Sequence, residues 1–373
     1  MTEVLLKELS NEDINWMLAV GQQLEIQPGT VLIQQGEPLE ALYILLDGAL
    51  RVSLSQPDTN PLGRAFAVLE GGSLPGREIA QLSSGEMVGE IPFGDTYLPS
   101  TTVQATTKSL VLKIERGHLI SKLQQDLSFA AHLYRANAVL LAHRLELLMQ
   151  QLGRSTVVLS QPQLREALII FAELNDNDID WLIAAGKVQK VMTDSVLVRS
   201  SRPIESLYIL LDGAIALKTA SGDINPLTRA FSNLEDSQNE DLEKEFARLS
   251  RGDIVGETPF MEMQNPAVTV KALRDSLVLS IPRWRLAAKL LHDVGFAARF
   301  YRVLAILMAD KQQAIVQRMA YGRLSYSSGE SLEKSYPNEL NGNFLTQVSL
   351  AGARFEWMLR RLKAEGGRLK AEG

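Results

Sequence analysis

The words ALYILLDGAL (41–50) and SLYILLDGAI (206–215) agree at eight of ten positions across an offset of 165 residues. No other feature restricts the fold as much. A solenoid repeat spans roughly 20–50 residues, so a unit repeated on this longer scale is a duplicated domain. Whatever one copy folds into, the chain must build twice.

The rest of each copy aligns around this word. The helical runs DINWMLAVG (13–21) and DIDWLIAAG (178–186) keep the same offset. Each is opened by an oxygen acceptor with an acid three residues on, Ser10 with Asp13 and Asn175 with Asp178, which is the capping-box pattern. Gly21 and Gly186 are read as helix stops, and Trp16 and Trp181 as core residues. Short apolar runs follow: TVLIQQG (30–36), LYILLDGAL and SLVLKI (109–114), with partners SVLVRSS (195–201), LYILLDGAI and SLVLSI (276–281). Short strands punctuated by turn residues predict an antiparallel sandwich or jelly roll. The Asp47-Gly48 and Asp212-Gly213 pairs are expected in tight hairpin turns. Each copy then closes in helices. Phe129, Leu133, Leu140 and Leu147 share one helical face, as do Phe296, Phe300, Val303 and Leu307. FAAHLYR (129–135) and FAARFYR (296–302) match at an offset of 167, so the second copy carries a two-residue insertion. The expected fold is mainly β with flanking helices, in two tandem jelly rolls.

Composition narrows the function. The chain has 373 residues and a net charge of −6, which disfavours nucleic-acid binding because that affinity comes largely from Lys and Arg. There is no Cys, so disulfide and thiolate chemistry are excluded. The start MTEVLLKELSNEDIN does not read as a signal peptide, and no apolar run approaches the roughly 20 residues of a membrane span. A cytoplasmic location is expected. His118, His132, His143 and His292 lack metal-ligand spacing, no serine stands in a nucleophile elbow, and no phosphate-binding loop is present. No catalytic residue, metal or cofactor is expected.

With these words in order and present twice, the sequence resembles the cyclic nucleotide-binding domain superfamily. It is most similar to bacterial and cyanobacterial members without a DNA-binding domain. The resemblance rests on the strand ending in Asp-Gly, on SSGEMVGEIPF (83–93) with SRGDIVGETPF (250–260), and on TVQA (102–105) with TVKA (269–272). It implies a ligand site in which backbone N–H groups after the Gly meet a cyclic phosphate and the Glu accepts from the ribose 2′-hydroxyl. An Arg nine residues after the Glu pairs with the phosphate. Gly89, Glu90, Thr102, Gly256, Glu257 and Thr269 are the positions that match.

The arginine does not match. Pro99 and Pro266 stand there, and Pro92 and Pro259 stand two residues after each Glu, where an N–H is lost. Ser100 keeps a hydroxyl beside the first cassette, but its counterpart is Ala267. Losing the charge-assisted contact costs about 2–5 kcal/mol and the neutral donor about 1 kcal/mol. Together these weaken binding by roughly 10²-fold to 10⁴-fold. The expectation is therefore a regulatory or adaptor protein with degenerate phosphate cassettes, working within a larger assembly. The alternative is a genuine cAMP, cGMP or cyclic-dinucleotide sensor whose terminal helices move on binding.

Other segments carry further expectations. NPLGRAF (60–66) and NPLTRAF (225–231) each supply one arginine, Arg64 and Arg229, as candidate anion contacts. The acidic EDSQNEDLEKEFARL (235–249) is expected to be an exposed helical loop. The domains are expected at 1–153 and 165–320, joined by a linker at 154–164. Residues 321–343 read as a flexible linker and 344–373 as an amphipathic helix. Phe344, Val348, Phe355 and Leu359 share a face of that helix that either folds back or binds a protein partner. A homo-oligomer is compatible with all of this.

Overall fold

In the computed structural model the described residues are 2–54, 77–89, 99, 101–152, 159–160, 165–200, 202–220, 243–249, 251–257, 260, 268–321 and 342–371. The chain forms two compact units, Met1–Leu141 with Met308–Glu339 and Ala142–Leu307 with Leu340–Gly373.

The first unit opens with helices α1 (Thr2–Glu8) and α2 (Asn11–Val20). Strands β1 (Gln22–Ile26), β2 (Val31–Ile33), β3 (Ala41–Asp47), β4 (Ala49–Leu54), β5 (Arg77–Ser83), β6 (Met87–Val88), β7 (Thr102–Ala105) and β8 (Ser109–Glu115) follow. Helices α3 (Arg116–Gln125) and α4 (Leu127–Leu152, of which Ala142 onward belongs to the second unit) come next. The strands form two antiparallel sheets, ordered β1-β8-β3-β6 and β2-β7-β4-β5.

The second unit repeats the plan. After β9 (Leu159–Ser160) come α5 (Arg165–Glu173) and α6 (Asp176–Ala185), then β10 (Lys187–Val191), β11 (Val196–Val198), β12 (Ser206–Asp212) and β13 (Ile215–Ala220). They continue with β14 (Glu243–Leu249), β15 (Ile254–Val255), β16 (Thr269–Ala272) and β17 (Ser276–Pro282). Helices α7 (Arg283–His292), α8 (Val294–Tyr321, of which Met308 onward belongs to the first unit) and α9 (Gly342–Ala371) complete the chain. The sheets are β10-β17-β12-β15 and β11-β16-β13-β14-β9.

The repeated word is explained by burial on two faces. Along β3, Leu42 and Ile44 point to a helical core with Met17, Leu119, Phe129 and Leu133. Tyr43 and Leu45 point instead to a core between the sheets with Val88, Val103 and Val111. A strand covered on both sides needs an unbroken apolar run, and β3 and its counterpart β12 are such strands.

The Asp-Gly pairs are corners, not hairpin turns. β3 and β4 belong to different sheets, so Gly48 turns the chain from one layer to the other. Gly48 and Gly213 have φ of +102° and +119°, and a Cβ there would meet Ser109 and Ser276 Oγ at 2.2 and 2.1 Å. Gly21 and Gly186 do end helices, but with extended backbone (φ −78° and −90°). Glycine suits these positions because a Cβ would lie 2.6 and 2.9 Å from the Met17 and Leu182 carbonyl oxygens of the helix ends.

Both capping boxes form, with the Ser10 and Asn175 side chains accepting from the N–H of Asp13 and Asp178. Leu147, five turns beyond Phe129, is half exposed. The acidic insertion is not helical where it is described. Glu243–Leu249 pairs along β13 as strand β14, because backbone pairing in a sheet does not depend on the sign of outward-facing charges. β9, from the expected linker, pairs parallel with β14.

Candidate ligand site

The two Gly-Glu turns are built alike. Gly89 and Gly256 follow β6 and β15 with φ of +78° and +96°. Each crosses the start of the neighbouring strand so closely that a Cβ would lie 2.4 Å from the carbonyl oxygen of Ala41 or Ser206. Only glycine satisfies both the left-handed backbone and the contact. Glu257 is half-buried, and its carbonyl accepts from Phe260 N–H at 3.0 Å. Phe260 is buried, and its ring stands edge-on to Phe300 at 5.8 Å; Phe300 stacks on Phe296, which meets Trp181 at 5.4 Å. An aromatic row thus joins the second cassette to α8 and α6.

Thr102 Oγ1 accepts from Gln35 N–H at 3.2 Å, and the buried Thr269 Oγ1 from Ser200 N–H at 3.4 Å. These hydroxyls hold the turn after β2 and β11 against the cassette. The turn after β2 also bonds to Pro99, whose carbonyl accepts from Gly36 N–H at 2.9 Å. Glu90, Pro92, Ser100, Pro259 and Pro266 lie outside the described residues, as do Arg64 and Arg229.

Sequence reasoning missed one feature of this region. In the second unit a cavity of about 200 Å³ is lined by Arg199, Arg202, Ile204, Glu205 and Tyr208, among others. It lies against the Gly256 turn: Ile204 is 3.2 Å from where a Gly256 Cβ would sit, and Tyr208 pairs with Val255. Burial raises the Tyr208 hydroxyl above its ordinary value, and the nearby Glu205 charge adds to the rise. The signal was present in the alignment of the copies, where Gln34 and Glu37 become Arg199 and Arg202.

The helices around each roll are tied by repeated ion pairs. Glu8–Arg135 at 3.0 Å corresponds to Glu173–Arg302 at 3.1 Å. Burial raises Glu173 above the ordinary carboxylate range, although Arg302 opposes the rise. Asp13–His132 at 2.7 Å corresponds to a two-bond pair of Arg299 with Asp178, at 2.6 and 2.9 Å. Lys122 and Lys289 bond to Asp126 and Asp293 and lie over Trp16 and Trp181. The hydrogen bond from each lysine, with backbone N–H groups, holds Asp126 and Asp293 below the usual range.

The C-terminal helix α9 folds onto its own unit. Phe355 and Leu359 are buried, and Phe355 meets the Phe171 ring of α5 at 5.2 Å. Arg354 donates to the Phe171 and Leu174 carbonyls that end α5, and to Asp176 at 2.8 Å. Arg361 pairs with Asp180. Arg251, five residues before Gly256, bonds to Glu356 at 2.6 Å and lies over Phe355. The side chains of Phe344 and Val348 lie outside the described set. Leu350 and Trp357 are exposed.

Among the described residues no group of three His, Asp or Glu is placed to hold a metal ion, and no helix is long and apolar enough to cross a membrane.

No curated protein matches the sequence. Among solved structures, the chain is similar to the regulatory domain of Toxoplasma gondii PKA with cAMP, at 16% identity and a TM-score of 0.27, covering 78% of this chain and 89% of that one. It is also similar to the regulatory subunit of a cAMP-independent protein kinase A from Trypanosoma cruzi bound to guanosine (15% identity, TM-score 0.27, 78% and 81% covered). A third is the Thermus thermophilus catabolite activator protein (20% identity, TM-score 0.31, 51% and 75% covered). The family described as cyclic nucleotide-binding domain matches residues 23–126 and again 188–293, together more than half of the sequence. With two copies of the roll, two glycine-crossed cassette turns and two such matches, the chain belongs to the cyclic nucleotide-binding domain family.

Proposed function

We propose that this is a non-enzymatic regulatory protein of the cytoplasm that works through protein partners, with cassettes that do not hold a cyclic phosphate in the family's manner. The observation that carries the reading is the pair Pro99 and Pro266 at the arginine position of both cassettes. At Pro99 the backbone is engaged with the neighbouring turn through Gly36. Proline offers neither cation nor N–H. The loss of the charged contact alone removes about 2–5 kcal/mol of binding.

Calorimetric titration of the full chain with cAMP, cGMP and cyclic dinucleotides tests this. Dissociation constants in the millimolar range or no heat are expected. Micromolar binding that Glu257→Gln abolishes removes the reading and restores the sensor. A pull-down with and without residues 344–373 tests whether α9 carries the partner contact. An unchanged partner set would assign that contact elsewhere.

A further inference from the structure

The turn after β11 and its counterpart after β2 close on the same hydrogen bond and carry opposite chemistry. Glu37 N–H donates to the Gln34 carbonyl, and Arg202 N–H to the Arg199 carbonyl, both at 3.2 Å. On this common frame a glutamine and an acid in the first unit become two arginines in the second. The frame abuts the cassette. In the first unit it bonds to Pro99, and in the second it bonds to Thr269, three residues past Pro266. Arg199 and Arg202 therefore stand on a turn bonded to β16, the strand that follows the second cassette.

Both arginines are exposed and line the cavity of about 200 Å³. Among the described residues neither forms an ion pair, whereas Arg248, Arg251, Arg299 and Arg354 each have a carboxylate. Glu205 lines the same cavity, so its walls carry two cations and one anion.

We infer that the second unit alone binds a small phosphomonoester metabolite in this cavity, its terminal phosphate held between Arg199 and Arg202. A phosphomonoester carries about −1.5 to −2 charge near neutral pH, which two guanidinium forks match. A cyclic phosphodiester carries a single charge and was met by one arginine. Glu205 adds an acceptor for a hydroxyl of the same ligand and opposes a second phosphate. A concave site suits a small molecule better than a phosphorylated protein segment. In the first unit Gln34 and Glu37 offer no cation, so one ligand binds per chain. The inference deepens the reading of altered cassettes and rests on it.

Titration of the full chain with 5′-AMP, inorganic phosphate and cAMP tests the site. 5′-AMP is expected to bind once per chain, at least about tenfold tighter than cAMP. The double variant Arg199→Ala/Arg202→Ala should lose roughly 100-fold or more, and inorganic phosphate should lose its heat in the same variant. Gln34→Ala/Glu37→Ala should bind as the parent does. All four side chains are exposed, and an unchanged Tm confirms that the variants fold. No binding of either phosphate probe, or binding indifferent to the double variant, would overturn the site. A phosphoserine peptide that binds where 5′-AMP and phosphate do not would also overturn it, in favour of a protein ligand. Micromolar cAMP binding that is lost in Glu257→Gln and kept in the arginine variant strikes the altered-cassette reading instead.

Discussion

At the scale of single residues, Asp13 and Asp178 do two tasks with one carboxylate. Each caps its own helix, and each reaches a helix well over a hundred residues away, through His132 or Arg299. Asp178 is 3% exposed, so Arg299→Ala leaves a buried carboxylate without its cation. A loss of about 3–5 kcal/mol is expected in urea unfolding; a loss below about 1 kcal/mol would show that water replaces the arginine. Asp13 has a pH signature. Burial raises its carboxyl, but hydrogen bonds from Ser10 and from His132 outweigh that and hold it below its ordinary value. A depressed acid stabilises the fold fully above the unfolded value of about 3.9, and that contribution is lost as pH falls through the lower folded value. The stability deficit of Asp13→Asn against the parent should therefore shrink between about pH 4 and pH 2, as measured by chemical unfolding. The capping role was legible in the sequence because it spans three residues. The long-range partners were not, since a spacing of 119 or 121 residues acquires meaning only once the roll brings its ends together.

At the scale of elements, the tail helix α9 is the clearest case. Its amphipathic pattern predicted the helix, and its apolar face is filled by α5 and α6 of its own unit. Gly352 lies in the helix interior, and a Cβ there would meet nothing within 4 Å. Gly352→Ala should stabilise the chain by about 0.5–1 kcal/mol, visible as a raised Tm of the second unit. Arg354→Ala should cost about 1–3 kcal/mol, because it uncovers the Phe171 and Leu174 carbonyls at the end of α5. A cost near zero would show that the contact is replaced by water. The corners at Gly48 and Gly213 illustrate the opposite limit of sequence reading. Asp-Gly marks a turn either way, but whether the flanking strands pair with each other depends on which sheet each joins. The residues of the turn do not encode that choice.

At the scale of the whole molecule, duplication left two units alike in architecture and unlike in their embellishments. Only the second carries α9, and only the second carries the arginine turn. Truncation before Gly342 should therefore raise hydrogen exchange in α5 and α6, where Phe171 loses its ring partner, and leave β1–β8 unchanged. Equal change in both units would show that α9 supports the chain as a whole. Duplication, the order of strands and helices, the glycine cassettes and the prolines in place of arginine were all determined by the sequence itself. Each is a matter of residue type at a fixed offset, and local geometry follows from residue type. Tertiary structure alone decided that the Asp-Gly turns are corners between layers, that the acidic insertion ends in a strand, and that Phe355 faces inward. It also decided that Arg199 and Arg202 share a cavity beside the second cassette. These facts depend on which surfaces meet, and burial and charge pairing act between segments that the sequence holds far apart.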